Sequence, residues 1–339
     1  MRIDDFRKMV KRRCLDAALV FDPANIRALT GIVCDNACFT GDVFYTDFRY
    51  VPMVHRIAPE LKVRDIRNLA KDNLGKSHRL RRIGFESSIS QARYQELAKA
   101  FRSAKFVDVA QDLSYLRSVK TEDELGRIRA AVALNDSIWE RGSRAFEPGM
   151  TELQMARIIR HLMVEEGDGE AFETIVCVGA NAAECHHVPD ETAWNGREPV
   201  LVDMGVKLNG LCSDMTRNLV PKRPRPLYKK VYEVVREANL AAIAAARPGI
   251  TGAQLDKVAR DVIRKAGFAR CFGHSLGHGV GYEIHEAPYA SKRGKTVLKP
   301  GMTLTIEPGV YLEGNLGVRI EDLVVITQDG CEVLTTSSK

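Results

Sequence analysis

The chain reads as an α+β protein, with a small α/β domain over residues 1–118 and a larger domain over 119–339 that is itself built from two similar halves. Three observations predict this. Up to about residue 117, short apolar runs alternate with helical stretches. At Thr121 a capping box, Thr121-x-x-Glu124, opens a helix with apolar spacing at Leu125, Ile128, Val132 and Ile138, which marks a boundary near 117–121. Beyond it, Pro148-Gly149-Met150-Thr151-x-x-Gln154 recurs 100 residues later as Pro248-Gly249-Ile250-Thr251-x-x-Gln254. A length of 339 residues also exceeds what one core usually holds.

In the first domain, AALVF and ACFTGDVFYTD read as strands, with the run through Phe44 and Tyr45 leading into Thr46-Asp47-Phe48-Arg49-Tyr50. DPANIRALTG resembles a helix entry, with a proline and an asparagine early in it. APELKVRDIRNLAKDNL reads as a helix, RRIGFE as a strand, SQARYQELAKAF as a helix and KFVDVA as a strand.

In the second domain, VLVDMGVKLNGLCSDMTRNLV reads as two extended runs meeting at a Lys207-Leu208-Asn209-Gly210 turn, which places Asp203 opposite Asp214. TLTIEPGVYLEGNLGVRIEDLVVIT turns at Glu313-Gly314-Asn315 and sets Glu307 across from Glu321. The first acid of each hairpin follows its repeat by a similar interval, 52 residues after Thr151 and 56 after Thr251. A pseudo-twofold arrangement of the halves would bring both carboxylate pairs to one cavity. Buried like charges are strongly destabilising unless a cation lies between them, so the two hairpins imply bound metal. The histidines of GHSLGHGVGYEIHE offer the softer ligand.

Composition narrows the alternatives. No run of about 18 apolar residues occurs, and MRIDDFRKMVKRRC has charge where a signal peptide needs an apolar core, so we expect a cytoplasmic protein with no membrane partner. The eight cysteines are scattered, without metal or disulfide spacing. Residues 1–120 carry 23 Lys/Arg against 14 Asp/Glu, a surplus of nine, while the rest carries 27 against 30. The basic residues are interspersed with acids and show no basic-aromatic pattern, which favours a solvated or subunit-facing surface over a nucleic-acid site.

The segments LVDMGVKLNGLCSDMTRN, FGHSLGHGVGYEIHEAP, PGMTLTIEPGVY and GVRIED resemble, in order and spacing, the motifs of the pita-bread metallopeptidases, in the branch of Xaa-Pro aminopeptidases and Xaa-Pro dipeptidases (prolidases). ALVFDPANIRALTG and FYTDFRY resemble the creatinase-like N-terminal domain that accompanies them. The resemblance implies a C-terminal pita-bread domain that holds two divalent metal ions, with Mn²⁺ favoured by the hard oxygen ligands and Co²⁺ or Zn²⁺ as alternatives. It implies that Asp203 binds one ion, that His278 and Glu307 bind the other, and that Asp214 and Glu321 bridge both. His278 is chosen because the family places its metal-binding histidine seven residues before the substrate-binding one, here His285.

The same likeness implies hydrolysis of the bond between an N-terminal residue and proline in short peptides, by a hydroxide bridging the metals. Glu307 then shuttles the proton, His285 and His186 flank the scissile bond, His274 forms a pocket wall, and Arg319 orients a carboxylate. A homodimer in which the first domain serves a partner's active site is also implied. Each of these residues has a plainer alternative. A lone acid is usually solvated, and His186, His274 or His285 could be structural histidines. His187 reads as a neighbour of His186, Cys185 as a small buried side chain, and Lys292 and Arg293 as a solvated loop.

The chain departs from the motifs at Ser275, Tyr282 and Glu184-Cys185, positions expected to shape the pocket. The rival readings are a hydrolase of a non-proline substrate and a non-catalytic binding protein on the same fold. Retention of all five metal positions argues against the second.

Overall fold

A computed structural model describes residues 2–74 and 80–339. They form two compact units, Met1–Arg117 and Ser118–Lys339.

In the first unit, Ala17–Leu19, Arg82–Phe85 and Lys105–Asp108 pair in parallel. Ala37–Phe39 and Val43–Thr46 form a hairpin, and Lys62–Asp65 joins its second strand in parallel. A bridge from Val20 to Phe39 links the two sets. Phe6, Val20, Ile26, Phe39 and Phe44 are fully buried in the unit's core. Asp22 caps the helix Pro23–Thr30 by accepting from the Asn25 amide, and Gly31 ends it in the left-handed region that glycine favours.

Two expectations fail here. ACFTGDVFYTD is a hairpin of two strands, broken at Thr40-Gly41-Asp42, where Gly41 has φ +92°. The stretch expected to be helical from Ala58 begins with the strand Lys62–Asp65, and helix starts only after Asp65 accepts the Arg67 amide. Lys62, Arg64 and Asp65 hide the period-two signal of Leu61 and Val63, because an edge strand carries charge at little cost.

The second unit shows the repeat as structure. Thr151 and Thr251 each accept the amide of the glutamine three residues on, and that glutamine caps the threonine amide in return. The helices they open, Glu152–Glu166 and Gly252–Lys265, pack beside the long helices Glu122–Arg144 and Pro226–Ala245. Backbone bonds match as well: Glu152, Leu153 and Gly149 donate to Thr192, Asp190 and Trp194, while Gly252, Ala253 and Gly249 donate to Thr296, Gly294 and Leu298.

Each helix pair covers its own sheet. Ile138, Met155, Ile159 and Met163 pack with Val176, Val202 and Met204 in one half. Val231, Val235, Leu255, Ala259 and Ile263 pack with Leu304, Ile306, Val324 and Ile326 in the other. The hydrophobic burial that orders each half therefore fixes the strands that carry the carboxylates.

Candidate metal centre

The hairpin Val200–Met204 to Met215–Leu219 closes at Asn209-Gly210, both with positive φ (50° and 74°), as a two-residue hairpin loop requires. This centres the turn one residue later than the sequence pattern indicates. Asp203 consequently pairs with Thr216, and Asp214 lies two residues away along the partner strand. A register shift of two keeps side chains on the same face, so the carboxylates still share a side of the hairpin, as diagonal neighbours.

In the second hairpin the strands break at the acids themselves. Thr303–Ile306 pairs with Asp322–Ile326, Gly309–Leu312 pairs with Leu316–Arg319, and Glu307 and Glu321 occupy the gap between the two ladders. The register is the same on both sides of the gap, so Glu307 stays level with Glu321. His278 belongs to the strand Gly277–Gly279, whose amide donates to Thr305 Oγ1 at 3.0 Å.

Asp203, Asp214, Glu307, Glu321, His278, His274, His285, His186 and Arg319 all line one cavity of about 470 Å³. His278 Nε2 lies 3.4 Å from Glu307 Oε1 and 3.6 Å from Asp214 Oδ2. Single donor atoms of Asp214, His278 and Glu321 all fall within 4.8 Å of one another, the spacing of ligands around one ion. The His285 ring stands 4.3 Å from that of His278, centroid to centroid.

Ionising all four carboxylates together is penalised unless positive charge is added. Burial, then the charges of Glu321, Asp203 and Glu307, holds Asp214 well above the usual carboxylate range. Glu321 is held up by burial and then by Glu307 and Asp203, and burial foremost pushes Glu307 to about 8. Burial lowers His274 and His278 to about 4, which leaves both rings neutral and able to ligate or accept. Among the described residues lining the cavity, Arg319 is the one arginine or lysine. It binds Asp203 Oδ2 at 2.7 Å, whereas Asp203 Oδ1 is buried with no hydrogen-bond partner.

Four carboxylates, one neutral imidazole and an orphaned buried oxygen fit divalent cations.

The chain belongs to metallopeptidase family M24. Residues 126–328 match the model of that family, and residues 2–119 match the creatinase/prolidase N-terminal domain. An Xaa-Pro dipeptidase from Lactobacillus helveticus is 41% identical over 257 residues, covering 75% of this chain and 70% of the relative. The structure of an Xaa-Pro dipeptidase from Bacillus anthracis superposes with a TM-score of 0.93 at 31% identity, covering 100% of this chain and 98% of the other. That of an X-Pro aminopeptidase from Thermotoga maritima gives 0.87 at 30% identity, covering 97% and 99%. This M24 chain therefore has the creatinase-type N-terminal domain and the pita-bread catalytic fold of its prolidase-like relatives.

Two residues of the centre are not singled out by the sequence pattern as read above. Thr216 Oγ1 donates to Glu321 Oε2 at 2.7 Å and accepts from Arg319 Nε at 2.9 Å, tying the two hairpins together. Tyr311 OH accepts from Arg319 at 2.9 Å and meets His274 Nε2 at 2.9 Å. A corrected register would have found Thr216, since it faces Asp203, whereas Tyr311 becomes visible only once the hairpins meet.

Tyr282, expected to shape the pocket, instead donates to Glu124 at 3.0 Å and lies outside the cavity lining. Cys185 and Ser275 do line it, while Lys292 and Arg293 are exposed and outside it.

Thr216→Val removes the buried acceptor of Arg319 Nε and one donor to Glu321 while conserving shape. We expect a loss of about 1–3 kcal/mol in urea unfolding. An unchanged midpoint would show that the link between the hairpins carries no stability.

Proposed function

We propose that this M24 metallopeptidase is an exopeptidase that hydrolyses the bond between an N-terminal residue and a following proline, in dipeptides or short peptides. The observation that carries the reading is the convergence of Asp203, Asp214, Glu307, Glu321 and His278 on one cavity, with Asp203 Oδ1 buried and unpartnered. Its relatives support the choice of substrate, since they include an Xaa-Pro dipeptidase and an X-Pro aminopeptidase.

In this reading Asp203 would hold one divalent ion, His278 and Glu307 would hold a second, and Asp214 and Glu321 would serve both. Mn²⁺ suits an oxygen-rich set best, with Co²⁺ or Zn²⁺ as alternatives. Bound ions of this kind supply Lewis acidity and lower the pKa of water.

The protein's own groups do the rest. Glu307 accepts a proton from the attacking water and delivers it to the leaving nitrogen. His285 and His186 donate hydrogen bonds to the peptide and to the oxygen that gains negative charge. Burial and the neighbouring His186 lower the pKa of His285 and so favour its neutral ring. His274, held between Tyr311 and the edge of Phe272, walls the pocket. Arg319 fixes Asp203 in place.

We further assign residues 1–118 and 119–339 as the two domains, the cytoplasm as the compartment and a homodimer as the assembly. Eight free cysteines suit a reducing compartment, and a basic first domain suits a subunit-facing surface.

After EDTA treatment, readdition of Mn²⁺, Co²⁺ or Zn²⁺ should restore cleavage of Ala-Pro and Ala-Pro-Ala while leaving Ala-Ala-Ala intact. The faster of the first two substrates separates dipeptidase from aminopeptidase, and no cleavage with any metal would refute the reading. In the same assay Glu307→Gln should nearly abolish turnover with an unchanged circular dichroism spectrum, and retained activity would remove the proton shuttle from Glu307. Sedimentation at micromolar concentration should give a dimer, and a monomer would reject that assembly. Cell fractionation should recover the protein with cytoplasmic markers, and recovery elsewhere would reject the compartment.

A further inference from the structure

Among the positions at which the two repeats differ, one exchanges a charged side chain for none. The residue after the capping threonine is Glu152 in the first half and Gly252 in the second. A Cβ on Gly252 would stand 2.1 Å from the Tyr289 carbonyl, so there the returning backbone packs directly on the helix start. In the first half this position carries a carboxylate, which takes its donors from the segment that follows.

Glu152 is fully buried, and each of its oxygens is used. Oε1 accepts from the Val178 amide at 2.6 Å and Asn181 Nδ2 at 2.9 Å. Oε2 accepts from the Asp190 amide at 3.1 Å and meets His187 Nε2 at 2.7 Å. Its place in the first turn of the helix Glu152–Glu166 adds the favourable end of the helix dipole. Burial alone would lower the pKa of His187, but Glu152, Glu184 and Asp190 together outweigh it, and the pKa lies above its ordinary value. Glu184 at 3.4 Å and Asp190 also face that ring.

The segment gripped in this way, residues 178–190, carries His186 and the Cys185 carbonyl. The His187 side chain is 9% exposed and bound to Glu152, and its neighbour His186 lines the cavity beside it. The Cys185 carbonyl accepts from Arg319 at 3.3 Å, the same guanidinium that holds Asp203.

We infer that Glu152 and His187 are positioning residues, a buried clamp that sets His186 and the Cys185 carbonyl against the cavity. Glu152, His187 and Asp190 together resemble a metal site. The amide donors on Glu152 assign the cluster to hydrogen bonding instead, because a cation would have to displace them. The role of the clamp in turnover rests on the exopeptidase reading above, but the clamp itself does not.

The test has two arms, both on the full-length, metal-loaded protein. In hydrogen exchange, Glu152→Gln should speed exchange of the amides over 178–192 and leave the helix Pro226–Ala245 unchanged. Unaltered exchange over 178–192 would overturn the clamp, whether or not any peptide is cleaved. In turnover of Ala-Pro, Glu152→Gln should lower kcat by roughly 10- to 100-fold with little change in KM. Made in a His186→Ala background, the same change should cost less than about twofold, since the two act through one group. Equal losses in both backgrounds would overturn the positioning role.

Should Glu152→Gln not fold, His187→Gln and His187→Ala replace it. The glutamine can still donate to Glu152 and should keep most of the activity that the alanine loses. Equal activity in both variants would overturn the part assigned to His187. A wild-type enzyme inactive on every proline peptide would refute the proposed reaction and leave the exchange result to judge the clamp.

Discussion

Four carboxylates held within one cavity set the terms for the rest of the catalytic unit. Asp214 and Glu321 are almost wholly buried, and ionising them beside Asp203 and Glu307 without compensation is far more costly than a protein of ordinary stability can absorb. Arg319 offsets one charge and spends its other donors on Thr216, Tyr311 and the Cys185 carbonyl. It therefore fixes geometry more than it balances the cluster. The remaining excess negative charge is what selects multivalent cations over a second arginine or lysine, because a side chain long enough to reach the acids would fill the space that a substrate must enter.

The architecture that makes this tolerable is duplication. Each half spends its hydrophobic burial on packing a helix pair against a sheet, so the strands that carry the acids are held independently of them. Asp203 lies within a continuous strand, but the other three acids sit at faults in the sheets. Glu307 and Glu321 occupy the break between two ladders in one hairpin, and Asp214 lies just before the strand Met215–Leu219 in the other. A continuous ladder would have directed these side chains strictly in or out, whereas a break lets them turn towards the shared cavity.

Much of this was legible in the chain. The capping boxes, the 100-residue repeat and the two hairpins can be read because each is a local pattern with a local cause: a threonine oxygen reaching an amide three residues on, or a two-residue turn needing positive φ. The four acids and Arg319 reach one cavity because hairpin counting fixes which face a side chain takes even when the register is off by two, whereas the four histidines were read from the motif resemblance. Features set by distant packing were not legible. The strand Lys62–Asp65 was masked by charge that an edge tolerates, Tyr282 turned to Glu124, and Thr216 and Tyr311 gained their partners only through the meeting of halves.

The same distinction explains why Glu152 and His187 were invisible. Read alone, Glu152 is an acid in the first turn of a helix, a favourable and common placement that needs no further reason. What singles it out is the comparison with Gly252, where an identical capping motif admits no side chain at all. Symmetric halves would offer the substrate two similar walls. In one half a backbone carbonyl packs on the helix start, whereas in the other a buried carboxylate takes that place and binds His187, next to His186 in the cavity lining. The duplication supplies the frame, and the departure from it at one position supplies an asymmetric site for an asymmetric peptide.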